Sequence, residues 1–211
     1  MRIAQDVLPR RVAKSDCLQR EQLTVWFDAV RAINNPVIAA YLQTLLLTGA
    51  RREELAGVRW SDVDFKWHSL TITDKVDGER TLPLTPGVAA LLRALPRRNC
   101  WVFSSPAAKT GRLQEPRSQH IRAVTVAGLP PLTLHGLRRY FGTLSEWVEC
   151  PVGVVAQIMR HKPSATAEKH YRVRPLDLFC AWHTKIEAWI LEQDGVHFIP
   201  EQPGLRAVAI A

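Results

Sequence analysis

The 211-residue sequence holds four cysteines, Cys17, Cys100, Cys150 and Cys180, and they lie far apart. There is no C-x-x-C pair and no Cys/His pair at zinc-finger spacing, which argues against a disulfide framework or a structural zinc site. The pattern fits reduced, mostly buried thiols in a cytosolic protein. Long apolar runs are missing too. The longest, Pro36 to Gly49, is interrupted by Gln43 and is too short to span a bilayer. The opening residues MRIAQDVLPRRVAKSD contain no apolar core of a signal peptide. There is no Walker motif, no H-E-x-x-H and no carboxylate cluster, so neither a metal nor any other cofactor is expected. Internal repeats and low-complexity tracts are also absent.

What is present is ordinary globular composition with a basic excess. Apolar residues make up 46% and charged residues 23%, so the bulk of the chain is expected to fold. Lys plus Arg is 28 against 20 for Asp plus Glu, a net charge of +8. A polyanion is the natural partner, either nucleic acid or an anionic membrane surface.

The apolar periodicity predicts an α-rich α+β domain. Residues 1–15 read as a linker or tail remnant, 16–193 as the domain, and 194–211 as a C-terminal tail. Leu23, Trp26, Phe27, Val30 and Ile33 mark one face of an amphipathic helix over 20–35. Residues 36–48 are almost wholly apolar and predict a core helix that closes at Gly49, with a short helix over 51–57 beyond it. The period then changes. Residues 69–74 and 79–85 alternate around Asp77-Gly78, a hairpin signal, with Pro83 placing the second strand at an edge. A further short strand is expected between Trp60 and Phe65. A helix is expected from Pro86 to about Ala94, and mostly loop from 96 to 114. Helices follow over 115–127, 134–148, 151–160, 164–170 and 175–193, with Thr133 as an N-cap.

Four local signals carry chemistry. Thr48-Gly49-Ala50-Arg51-Arg52-Glu53-Glu54-Leu55 puts Glu54 three residues after Arg51, on one side of a turn. Lys75 opens the hairpin turn. His135-Gly136-Leu137-Arg138 brings a histidine and an arginine to one face near a helix N-terminus, an end that suits an anion. His161-Lys162-Pro163 precedes Glu168-Lys169-His170-Tyr171-Arg172. Taken singly, each also fits a solvated ion pair, a basic helix face or a half-buried aromatic.

In this order and spacing, over roughly residues 20–193, the four resemble the tyrosine recombinase family, in its phage-integrase branch. The resemblance implies the family's mostly helical catalytic domain with a small antiparallel sheet. Arg51 is similar to the arginine of the family's T-G-x-R-x-x-E pattern, with Glu54 as the acid that supports it and Arg52 as a lower-ranked neighbour. Lys75 resembles the hairpin lysine that protonates the leaving 5′ oxygen. His135 and Arg138 match the H-x-x-R box, His161 the later histidine, and Tyr171 the nucleophile. The pattern departs in two places. Arg160 stands where the family usually has glycine, implying a shifted loop or an added phosphate contact. The step from His161 to Tyr171 is ten residues, where nine is common.

The chemistry implied is transesterification on a DNA phosphodiester through a 3′-phosphotyrosine. Ionising a phenol at neutral pH costs about 4 kcal/mol, which fixed cations nearby offset. Guanidinium groups such as Arg51 and Arg138 present a planar fork to phosphate, and fixed donors of this kind are worth about 3–4 kcal/mol each. His135 and His161 are suited to bonding the same oxygens or moving a proton. The sequence has three tyrosines. Tyr41 sits in the apolar helix and Tyr140 on a different helix face from Arg138, which favours Tyr171. Lys109, Arg112, Arg117 and Arg122, with Arg160, are candidate contacts to the DNA backbone.

Integrases of this kind carry an N-terminal core-binding domain that is not in these 211 residues, so weak, strongly salt-dependent DNA binding is expected. The expected partner is double-stranded DNA, with a homo-tetramer on DNA, a monomer without it, no membrane, and a cytoplasmic location. Two other readings share the residues: a catalytically impaired integrase remnant that only binds DNA, and a type IB topoisomerase.

Overall fold

The computed structural model describes residues 18–74, 78–161 and 174–196. At its centre is α2, Pro36–Thr48, in which every residue from Val37 to Thr48 is buried. A helix apolar on all sides must be enclosed, and α2 is packed by α1 (Leu23–Arg31), α4 (Pro86–Arg93), α6 (Leu134–Leu144) and α8 (Leu176–Gln193). Its ends are set locally. The Asn35 side chain accepts from the Val37 and Ile38 amides at 3.0 and 3.4 Å, and Pro36 occupies the first turn. Gly49 ends the helix with φ 59°, and a Cβ there would fall 2.5 Å from the Phe141 ring. Glycine is therefore required both by the backbone and by the close approach of α6.

The amphipathic helix is shorter than its periodicity predicts. Arg20–Gln22 forms a 3-10 turn and α1 runs from Leu23 to Arg31, because Asn34 and Asn35 already belong to the entry of α2. Trp26, fully buried on α1, donates its indole N–H to Nε2 of buried His120 on α5 (Arg117–Val126) at 3.1 Å.

The sheet is antiparallel in the order β1 (Val63–Asp64), β2 (Ser69–Asp74), β3 (Gly78–Pro83). Pro83 lies on an edge strand, as expected, where its missing N–H costs no ladder bond. The strand expected between Trp60 and Phe65 is a 3-10 turn, Trp60–Asp62, leading into the two-residue β1. Leu70 pairs with Leu82 and Ile72 with Arg80, so these four share one face of the hairpin. Leu70, Ile72 and Leu82 are buried on that face.

A short helix, α3 (Arg52–Ala56), joins α2 to the sheet region. The segment from 96 to 114 is mostly loop, tied by isolated bridges of Arg59 with Trp101 and Ser104 with Arg112. Thr133 caps α6 through its hydroxyl, which accepts from the Gly136 amide at 2.9 Å. Beyond Leu144 the helix tightens into a 3-10 turn, Ser145–Val148, and α7 spans Val152–Ile158. The last helix, α8, buries His183, Ile186, Glu187, Ile190 and Leu191. Asp194 follows it into the body, buried and ion-paired with Arg31. The result is the expected α-rich α+β domain. No helix among the described residues is long and apolar enough to cross a membrane. The helix expected over 164–170, the segments 1–15 and 197–211, and Cys17 lie outside the described residues.

Candidate active site

Where α2 ends at Gly49, the chain turns directly into α3, and Arg51 takes the N-cap position of that helix. Its backbone N–H donates to Glu54 Oε2 at 3.0 Å and its Nη1 to Glu54 Oε1 at 2.7 Å. Glu54 is buried. A second arginine reaches it from β3: Arg80 Nη2 donates to Glu54 Oε2 at 2.9 Å, while Arg80 Nη1 donates to the Ile158 carbonyl at the end of α7. A third, Arg138 on α6, is buried and donates through its two terminal nitrogens to the carbonyls of Gly49 and Met159. Arg138 thus joins the C-terminal ends of α2 and α7, where carbonyls lack helical partners.

The end of α7 closes as a Schellman turn. The Arg160 amide donates to Gln157 O at 3.0 Å and the His161 amide to Ala156 O at 2.7 Å. Arg160 takes the left-handed position of this turn, with φ 56°. The turn that glycine would make is therefore formed with an arginine. The Arg160 guanidinium donates to Gly78 O at the start of β3, at 2.9 Å, and its carbonyl lies 3.4 Å from Arg51 Nη2. His161 follows, exposed.

Arg51 and Arg80 thus bond the Glu54 carboxylate, while Arg138 and Arg160 bond backbone carbonyls at the ends of α2, α7 and β3. Burial lowers the Arg138 pKa to about 10, with Arg51 and Arg80 adding to the shift against Glu54. Burial also lowers that of Arg80; Glu54 opposes the shift, while Arg160 and Arg51 reinforce it. His161 is held below the ordinary imidazole value by burial, then by Arg138 and Arg51. Guanidinium forks grouped in this way are suited to an anion with several oxygens.

The remaining sequence candidates fall in different places. His135 is exposed in the first turn of α6. Arg52 turns away from Glu54 and pairs with Glu53 at 2.7 Å; Arg112 pairs with the same Glu53 at 3.2 Å and lies over the Trp101 ring. Lys109, Arg117 and Arg122 are exposed, and Arg122 lines a groove between α1 and α5. Lys75 and Tyr171 lie outside the described residues. Of the other tyrosines, Tyr41 is fully buried, donates to Arg52 O at 2.8 Å and has its phenol pushed further up by burial, while Tyr140 is also buried. Among the described residues no group of three or more His, Cys, Asp or Glu is placed to hold a metal ion.

Arg80 is the residue that sequence reasoning missed. The signal was present: strand alternation in Glu79-Arg80-Thr81-Leu82 puts Arg80 on the face of Leu82, and a charge on an apolar face is either paired or functional.

Comparison with known proteins agrees with the fold. The phage integrase family matches residues 18–175. The chain is 60% identical over 198 residues to prophage integrase IntF of Escherichia coli (strain K12), covering 90% of this chain and 42% of that protein. It is 29% identical over 149 residues to tyrosine recombinase XerC of Mycobacterium sp. (strain KMS), covering 63% and 48% of the two. The chain thus spans less than half the length of these curated relatives. Among solved structures, the integrase from mycobacterium phage Brujita superposes with a TM-score of 0.64 at 22% identity, over 88% of this chain and 64% of that one. A lambda integrase dimer bound to a COC' core site gives 0.59 at 18% identity, over 78% and 64%. The structures share the fold, and the extent of the sequence match makes the assignment: the chain belongs to the phage integrase family.

Proposed function

We propose that residues 16–193 form the catalytic domain of a tyrosine site-specific recombinase, which cuts and rejoins double-stranded DNA through a 3′-phosphotyrosine. The observation that carries this reading is the grouping of Arg51 and Arg80 on the Glu54 carboxylate with Arg138 and Arg160 tied to the adjoining helix and strand ends, and His161 following the same turn. A scissile phosphate supplies oxygens that guanidinium forks can bind.

In this reading Arg51 and Arg138 bind the non-bridging oxygens, whose charge grows as phosphorus becomes five-coordinate. Their frames are already rigid: Glu54 holds Arg51, and two backbone carbonyls hold Arg138. No reorganisation is then needed when the charge develops. His135 and His161 bond the same oxygens or move a proton. Tyr171 attacks phosphorus, the bond to the 5′ oxygen breaks, and Lys75 protonates that oxygen. The phosphotyrosyl linkage keeps the energy of the broken ester, so the 5′-hydroxyl of a partner strand reverses the step.

The prophage integrase and XerC relatives and DNA-bound neighbours such as XerH with its difH substrate support DNA as the partner. Lys109, Arg112, Arg117, Arg122 and, more weakly, Arg52 follow the backbone as salt-sensitive contacts. The working assembly in this reading is a tetramer on DNA, formed from monomers in the cytoplasm.

The test is covalent trapping. The protein is incubated with nicked duplexes of its attachment site and resolved on denaturing gels beside a Tyr171→Phe variant. An adduct that disappears in the variant is the expected result. Binding of the duplex without an adduct overturns the strand-transfer reading.

A further inference from the structure

Arg80 is a mostly buried cation. Only 11% of its side chain is exposed. One terminal nitrogen is engaged by Glu54 and the other by the Ile158 carbonyl, and its Nε is buried without a hydrogen-bond partner among the described residues. A buried arginine costs several kcal/mol of desolvation, which a single carboxylate pair does not repay as well as an apolar side chain on this apolar face would. Its partners suggest what the charge does.

Glu54 has two oxygens and three donors. Oε1 receives Arg51 Nη1, and Oε2 receives both the Arg51 backbone amide and Arg80 Nη2. Without Arg80, Oε2 keeps only the Arg51 backbone amide among the described donors, and the carboxylate is held by Arg51 alone. Arg80 is also a link between β3 and the end of α7, one residue before Met159, whose carbonyl receives Arg138. One side chain thus touches both supports of the arginine pair: the acid that aims Arg51 and the helix end that aims Arg138.

We propose that Arg80 is a positioning residue of the phosphate site, holding Glu54 and the end of α7 so that Arg51 and Arg138 present their guanidiniums in fixed register. The inference rests on the strand-transfer reading, and acts through the two arginines, not through contact with substrate.

The experiment compares the full chain with Arg80→Met, Arg80→Lys, Glu54→Gln and the Arg80→Met/Glu54→Gln double variant. Each is assayed for duplex affinity, for the rate of covalent adduct formation, and for the arginine Nε–H resonances, with Arg51 assigned from Arg51→Lys. Arg80→Met is expected to slow adduct formation by roughly 10- to 100-fold while duplex affinity changes less than about 3-fold. Arg80→Lys keeps the charge but not the fork, and restores only part of the rate. The double variant is slower than Glu54→Gln alone, but by less than the full Arg80→Met loss, since the two changes share the Glu54 support and only Arg80→Met also loosens the end of α7. The Arg51 Nε–H resonance, sharp in the parent, broadens in Arg80→Met.

A parent rate in Arg80→Met, additive losses in the double variant, or rate and affinity falling in parallel overturns the proposal. So does loss of the folded state in both Arg80 variants, which makes the residue structural. The resonance arm needs no catalysis. A parent without adduct therefore defeats the strand-transfer reading alone, while an unchanged Arg51 signal defeats the role of Arg80.

Discussion

Arg160 donates a hydrogen bond to the Gly78 carbonyl at 2.9 Å from a backbone held at φ 56°. The side chain thereby joins the turn that carries His161 to the start of β3. The conformation costs about 1–2 kcal/mol for a residue with a Cβ, and the charge-assisted bond returns an amount of the same order.

These opposing terms set a test of sign. Arg160→Gly loses the bond and the backbone cost together, and thermal unfolding is expected to place it within about 1 kcal/mol of the parent. Arg160→Ala loses the bond and keeps the cost, so it is expected to be less stable than Arg160→Gly by about 1 kcal/mol. An alanine variant as stable as the glycine variant would contradict the turn.

Arg138 has a structural role separable from any chemistry. Its guanidinium is the donor to Gly49 O and Met159 O. Arg138→Met leaves both carbonyls without their charged donor and is expected to lower unfolding stability by about 2–3 kcal/mol in denaturant titrations.

Two buried histidines make stability depend on pH. His120 accepts from Trp26 at Nε2, and His183 meets Leu47 O through Nε2 while its Nδ1 is buried. Burial lowers each to about 4 from an ordinary 6.5. The unfolded chain therefore takes up protons first. Stability is full above pH 6.5 and falls as pH drops from 6.5 toward 4, by on the order of 3 kcal/mol per histidine. Denaturant midpoints at pH 7, 5.5 and 4 check the slope, and a His183→Gln variant should flatten it.

His161 gives a different profile, on rate. Since it is held below the usual imidazole value by burial and by Arg138 and Arg51, adduct formation is expected to be level across pH 7 and to fall only on the acid side of the ordinary histidine range. His161→Gln should remove that limb. An inflection above pH 7 that vanishes in the variant would show the imidazole charged in the working site.

Glu187 anchors α8 to the start of α4. It accepts from Thr85 Oγ1 at 2.6 Å and from the amides of Gly87 and Val88 at 2.8 and 2.9 Å. Glu187→Ala strands three donors, two of them buried, and is expected to cost about 3 kcal/mol in thermal or denaturant unfolding.

The elements legible in the sequence are those governed by neighbours along the chain. Asn35-Pro36 and Gly49 delimit α2, because caps and left-handed turns are decided within a few residues. The hairpin over 69–83 follows from alternation, and the pairing of Arg51 with Glu54 follows from i,i+3 spacing. The motif order was enough to indicate the family. Helix ends were less legible: Ala32–Asn35 reads as amphipathic continuation, yet the cap of the next helix claims it.

What only the tertiary structure decided is which charges meet. Arg80 stands 26 residues from Glu54 along the chain, and Arg138 stands 89 from Gly49 and 21 from Met159. Arg52 is adjacent to Arg51 but is drawn off by Glu53, which Arg112 also pairs. Local spacing specifies a turn or a helix face, whereas a buried cation is placed by whichever unpaired carbonyls and carboxylates the packed elements bring to it. Those partners exist only once α2, α6, α7 and the hairpin have come together.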